Sequence, residues 1–283
     1  MKTKTIPSSI VFFLTSFFIS TVVLFSSGCN GNNTGGSSTE TPPPNSSIPP
    51  PPVLTYSIVN TFPHDTSFYT QGYTFYKGEL YEGTGDPTRT GKTRLMKVDL
   101  KTGKALRQIS LSSDYFGEGI TILKDTVYQL TWQEHKVFVY TLKDFKQVKT
   151  YNMPFEGWGI TNDGKRLIVS IGNGMLNYYD PSTFALLTKS SITEGNSDTY
   201  NLNELEYIDG FVYANQYTTP YILKIDPNSG KVVGKYDLTD VTNKIKALKP
   251  DADVLNGIAY DETTKKVYIT GKYWPEAYEI KLN

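Results

Sequence analysis

The sequence is poor in the residues on which much protein chemistry rests. Its 283 residues include one Cys, Cys29, and two His, His64 and His135. A single thiol excludes a disulfide framework, and these three residues cannot furnish a Cys₄ or Cys₂His₂ zinc centre. Excess charge is also lacking: 28 Lys plus Arg stand against 28 Asp plus Glu, a formal net charge of zero. No basic surplus is left to hold a phosphate backbone, so nucleic acid is not an expected partner. What is abundant is aromatic. Tyr (21), Phe (14) and Trp (3) make 13% of the chain, and 23 Gly accompany short periodic segments. That composition points to β structure rather than helix.

The N-terminal part reads as address and spacer rather than as fold. Lys2 and Lys4 precede an apolar run over 10–25, then Ser26-Ser27-Gly28 and Cys29. Residues 1–28 have the layout of an export signal. They resemble a bacterial lipoprotein signal, in which the Cys is lipidated and becomes the first residue; a secretory signal with an incidental Cys is the alternative. Residues 29–52 hold Gly-Gly, Thr-Pro-Pro-Pro and a four-Pro run from Pro49, with Ile48 their only large apolar residue. Such a segment cannot bury enough surface to fold and acts as a semi-rigid tether. The expectation is an exported protein of a bacterial envelope, anchored to the membrane through lipidated Cys29, monomeric, with residues 53–283 as its domain.

Those residues repeat. A first strand-like run carries Gln71-Gly-Tyr-Thr, Glu118-Gly-Ile-Thr, Trp158-Gly-Ile-Thr, Glu204-Leu-Glu-Tyr and Asn256-Gly-Ile-Ala. A second run follows each, centred on Tyr81, Tyr128, Ile168, Tyr213 and Tyr268, at spacings of 47, 40, 45 and 55. Turn residues separate the two: Lys77-Gly78, Lys124-Asp125, Asp163-Gly164, Asp209-Gly210 and Asp261-Glu262. Third runs follow, and fourth runs near 105–111, 147–153, 185–192 and 232–238. The fifth copy stops before its fourth run, and 56–62 supplies a strand-like segment at the other terminus. Four-stranded units of this length predict an all-β, five-bladed β-propeller in which the N-terminal strand closes the last blade. An irregular β-sandwich is the alternative.

In a propeller, the entry to each first strand and the exit of each second strand face one shared mouth. The entries hold Gln71, Glu118, Trp158, Asn203-Glu204 and Asn256; the exits hold Trp132, Tyr217 and Lys272, with Trp274 just beyond. Read singly, Trp158 between glycines is a packing residue and Trp274-Pro275 a turn filler. As a set they predict a site, because unpaired carboxylates and ammonium groups are too costly to bury as filler. Both His lie outside the set, which argues against a Ser-His-Asp triad. Glu118 and Glu204 suit either Ca²⁺ ligation or acid–base work.

At these residues the sequence resembles the plant-type glutaminyl-peptide cyclotransferases, the five-bladed glutaminyl cyclases also found in bacteria. The matching pieces include Tyr69-Thr-Gln-Gly72, Phe116-Gly-Glu-Gly119, Leu130-Thr-Trp132, Glu156-Gly-Trp-Gly159, Leu202-Asn-Glu-Leu-Glu206, Tyr213-Ala-Asn215 and Thr270-Gly-Lys-Tyr-Trp-Pro275, in order across all five units. The resemblance implies an aminoacyl-type acyltransferase that converts the N-terminal Gln of peptides or proteins to pyroglutamate and releases ammonia. It implies that no zinc or other cofactor is required; a structural Ca²⁺ stays open. It implies that Glu118 transfers the proton, that Gln71, Asn203 and Lys272 hold the carboxamide and its oxyanion, and that Trp132 and Trp158 wall the pocket. Tyr69, Glu204, Tyr217 and Trp274 are the further expected substrate-binding residues. Tyr69 stands where the family usually has Phe, and Tyr217 where it often has Trp. The alternative is a non-catalytic surface propeller that binds a partner.

Overall fold

A computed structural model describes residues 48–283. The expected signal, Cys29 and most of the tether lie outside the described residues. Five antiparallel sheets succeed one another along the chain. The first holds Tyr69–Tyr76, Glu79–Gly85, Arg94–Asp99 and Lys104–Ser110. The second holds Gly117–Leu123, Thr126–Thr131, Lys136–Thr141 and Gln147–Asn152. The third holds Ile160–Asn162, Leu167–Ser170, Met175–Tyr179 and Leu186–Ser191. The fourth holds Leu202–Ile208, Phe211–Gln216, Tyr221–Asp226 and Lys231–Asp237. The fifth holds Leu255–Asp261, Lys266–Gly271 and Glu276–Leu282, and Tyr56–Pro63 pairs antiparallel with the last of these.

The arrangement is that of a β-propeller. The first strands of the sheets touch in cyclic order, and the first strand of the fifth sheet contacts that of the first. Apolar clusters fill the spaces between neighbours. Tyr81, Leu95, Ile120 and Val127 join the first sheet to the second, and Tyr73, Leu80, Ala259 and Tyr268 join the fifth to the first. Burial falls outward along each sheet. Gly117–Leu123 is buried throughout, whereas Gln147–Asn152 is almost wholly exposed. A strand near the axis is covered on both faces, so its residues need no alternation; an outer strand is wetted.

Local chemistry makes the hairpins. Lys77-Gly78, Lys124-Asp125 and Asp209-Gly210 all have positive φ at both turn positions. That is the type I′ geometry whose twist suits a two-residue hairpin. The fourth sheet departs from the repeat. Lys231–Asp237 also pairs in parallel with Val53–Leu54 and with Thr193 of a small hairpin. A helix, Thr239–Leu248, then precedes the fifth sheet and buries Val241 and Ile245 in the cluster that contains Leu255 and Trp274. This helix fills the longest repeat spacing, which sequence reading left without an element.

Candidate active site

Four of the five first strands carry a β-bulge at their entry. In the first sheet the register slips between Thr70 and Gly72; in the second, between Gly117 and Ile120. In the fourth it slips between Leu202 and Leu205, and in the fifth between Leu255 and Ile258. A bulge puts one extra residue against its partner strand and re-aims a side chain. The polar residues in these bulges are Gln71, Glu118, Asn203-Glu204 and Asn256. In the third sheet the regular register begins at Ile160, and Trp158, whose N–H donates to the Ser170 carbonyl, occupies the same place ahead of it.

Glycine allows these entries to crowd the axis. A Cβ on Gly159 would lie 2.0 Å from the Asn203 carbonyl oxygen, and one on Gly119 would lie 2.8 Å from the Trp158 carbonyl oxygen. Ser170 fastens the same neighbourhood: its hydroxyl accepts from the Gly159 N–H (2.8 Å) and donates to the Asn203 carbonyl (2.7 Å). Trp158 and Asn203 are thereby fixed relative to each other by backbone contact.

The result is a cavity of about 330 Å³ lined by Tyr69, Gln71, Phe116, Glu118, Trp132, Trp158, Asn203, Tyr217 and Lys272, with Pro87 and Arg89 from the loop after Glu79–Gly85. Aromatic rings make its walls. Four of its polar groups are buried: Gln71, Asn203 and Lys272 are each 3% exposed and Glu118 is 5% exposed. Gln71 Nε2 donates to Glu118 Oε1 at 3.3 Å. Asn203 Oδ1 has no protein donor, so a buried acceptor is left for a group that enters the cavity.

Burial pushes the Glu118 carboxyl well above the usual carboxylate range. The Lys272 ammonium opposes that rise, while Glu134 and Glu156 add to it. Burial lowers Lys272, and the negative charges of Glu118 and Asp253 oppose the fall. The Tyr69 phenol is pushed up by burial first and then by Asp253. The site therefore holds a carboxyl and an amine that are both driven toward neutrality, which is the condition for moving protons near neutral pH.

Eight of the ten residues expected from sequence line this cavity. Glu204 and Trp274 do not. Glu204 turns away from it, and its carboxylate accepts from the Tyr73 N–H (3.1 Å) and the Ile258 N–H (2.8 Å). It ties the fourth sheet to the first and fifth. Trp274 is fully buried, folds back onto Gly271 and donates to the Asp253 carbonyl at 2.9 Å. Both serve the framework. Asn256 likewise donates to the Thr70 carbonyl (2.9 Å) and to Gln71 Oε1 (3.2 Å) from outside the cavity.

His64 is outside it too, buried with Nε2 3.1 Å from Glu82 Oε1. Among the described residues, no group of three or more His, Cys, Asp or Glu is placed to hold a metal ion. Sequence reading missed Arg89. It lies outside the repeat, in a loop organised by Asp86, whose carboxylate accepts from the N–H groups of Thr88, Thr90 and Lys92. Arg89 pairs with Glu134 at 2.6 Å.

Fold and site together define an all-β propeller protein with an aromatic, carboxyl-bearing pocket at a mouth of its sheets. The sequence model of the glutamine cyclotransferase family matches residues 33–282, and the chain belongs to that family. It is 36% identical over 228 residues to an Arabidopsis thaliana glutaminyl-peptide cyclotransferase, covering 80% of this chain and 70% of that one. A crystal structure of Myxococcus xanthus glutaminyl cyclase is 31% identical, with a TM-score of 0.76, and the match covers 82% of this chain and 98% of that one.

Proposed function

We propose that this protein converts the N-terminal glutamine of peptides or proteins to pyroglutamate, with Glu118 as the proton carrier and no resident metal. The substrate's α-amine nitrogen attacks the carbon of its own side-chain carboxamide. A C–N bond forms, the ring closes, and the bond to the carboxamide nitrogen breaks, releasing ammonia. Glu118 takes the proton that the amine loses and returns it to the departing nitrogen. The single observation that carries this reading is the buried Glu118 carboxyl between Gln71 and the Lys272 charge, inside an aromatic cavity. Lys272 and Gln71 offer donors to the oxyanion, and the unpartnered Asn203 Oδ1 accepts from the carboxamide N–H. The aromatic walls hold the glutaminyl chain folded, so that amine and carbonyl meet.

In this reading the five sheets are five blades, and the pairing of Tyr56–Pro63 with Glu276–Leu282 closes the ring. Residues 1–28 export the protein to a bacterial envelope, lipidated Cys29 anchors it, residues 29–52 act as the tether, and the 53–283 domain acts as a monomer. Incorporation of a labelled fatty acid, lost in Cys29→Ala, tests the anchor. The catalytic reading is tested by mass spectrometry of a Gln-initiated peptide and an Asn-initiated control, with and without chelator. Loss of one ammonia from the Gln peptide alone, undiminished by chelator, is expected. Loss only when metal is supplied contradicts the metal-free mechanism. No loss from a folded protein leaves a binding module.

A further inference from the structure

The walls of the pocket form a closed collar. Tyr69 packs against Phe116 with ring centroids 6.1 Å apart, and Phe116 against Trp132 at 5.6 Å. Trp158 packs edge-on against Tyr217 at 5.5 Å. Two joints in the collar are made by charged groups instead. Lys272 Nζ lies over the rings of Tyr217 and Tyr69, 4.9 and 4.6 Å from their centroids. Between the two indoles sits Glu156. Its Oε2 accepts from Trp132 Nε1 at 2.8 Å and from Trp158 Nε1 at 3.5 Å.

That second joint spans two sheets. Trp132 follows Thr126–Thr131 of the second sheet, and Trp158 leads into Ile160–Asn162 of the third. An indole N–H only donates, so two of them aimed at one point require an acceptor there. A carboxylate accepts both, and more strongly than a neutral oxygen. Glu156 is half-buried in the loop ahead of Trp158.

We propose that Glu156 is a positioning residue that sets the width of the collar by clasping both indoles, so that the glutaminyl chain is held in its ring-closing conformation. The inference rests on the cyclase reading of the site. It has a second consequence. Glu118 is faced by Gln71 of the first sheet, Lys272 of the fifth, Glu134 of the loop between the second and third strands of the second sheet, Glu156 of the loop between the second and third sheets, and the phenols of Tyr69 and Tyr217. Removing the negative charge of Glu156 leaves Lys272 less opposed. The Glu118 carboxyl then ionises at lower pH.

The test compares the full chain with Glu156→Gln, Glu156→Asp and, as a control, Glu262→Gln on an exposed turn at the opposite mouth. In Glu156→Gln the side chain keeps its shape but presents an N–H toward one indole. KM for a Gln-initiated peptide is expected to rise roughly tenfold or more, the usual scale for losing a hydrogen bond to a charged group. The acid limb of the pH profile of kcat/KM shifts to lower pH. Glu156→Asp, with its charge on a shorter arm, restores the limb but not KM, and Glu262→Gln changes neither. A Glu156→Gln enzyme with KM and limb both unmoved overturns the proposal. The near-UV circular dichroism of the indoles reads the clasp without activity. A band altered in Glu156→Gln and intact in Glu262→Gln supports the clasp, and an unaltered band overturns it. Failure of the underlying cyclase reading is distinguishable, because wild type itself then releases no ammonia.

Discussion

In the pocket, Glu118 feels the Lys272 cation and two further carboxylates, Glu134 and Glu156. Its folded pKa lies above its unfolded one, so the stability tied to it is present while it is protonated. That stability is lost as pH rises through the folded value. Glu118→Gln cannot ionise and avoids the loss. Thermal melts across pH are therefore expected to show the variant gaining on wild type as pH rises above the ordinary carboxylate range; Glu204 and Glu206, also held high by burial, are common to both proteins and cancel. A variant that falls steadily behind wild type with rising pH contradicts the assignment. Asp86 has the opposite character. Its hydrogen bonds from Thr88, Thr90 and Lys92 hold its carboxyl at about 2, so the stability tied to it is lost only as pH falls toward that value. Asp86→Ala frees the loop that carries Arg89 and is expected to cost about 1–3 kcal/mol by denaturant melt, with a raised KM.

The elements place these side chains through bulges and close approaches, and that is where glycine matters. Gly159→Ala drives a Cβ into the backbone of Asn203, between two pocket residues. It is expected to cost about 3 kcal/mol, with a fall in kcat/KM. Gly78→Ala meets no neighbouring atom and bears only the strain of its positive φ. It is expected to lose about 1 kcal/mol with kcat/KM intact, and equal effects of the two on activity contradict the role given to Gly159. The repeat made Gln71, Glu118, Trp158 and Asn203 legible in the sequence, because the entry position recurs in phase. It also misled. In the fourth sheet two polar residues enter one bulge, and no pattern says that Asn203 faces the cavity while Glu204 turns to bind backbone N–H groups. Trp274 stands beyond its strand, and only the bare Gly271 lets it fold inward. Arg89 and the helix Thr239–Leu248 lie in insertions, where periodicity carries no information.

For the whole molecule, the outermost strand of the fifth sheet comes from the far end of the chain. Tyr56–Pro63 covers Glu276–Leu282, whose Tyr278 and Ile280 are buried. Removing residues 1–63 uncovers that strand and is expected to give an aggregating or non-cooperatively unfolding protein. Removing residues 1–47 is expected to leave the melt unchanged. Size-exclusion chromatography and denaturant melts check both, and a truncated 64–283 chain as stable as the longer one contradicts the proposed closing role. The proposed reaction rests on this pocket and on Glu118 as its proposed proton carrier. The most direct test is steady-state turnover of a Gln-initiated peptide by Glu118→Gln, beside a melt that shows the variant folded. A fall in kcat of roughly 10²-fold or more, with KM within a few-fold of wild type, is the predicted result. A folded Glu118→Gln protein that turns over at the wild-type rate would remove Glu118 from the chemistry and contradict the account.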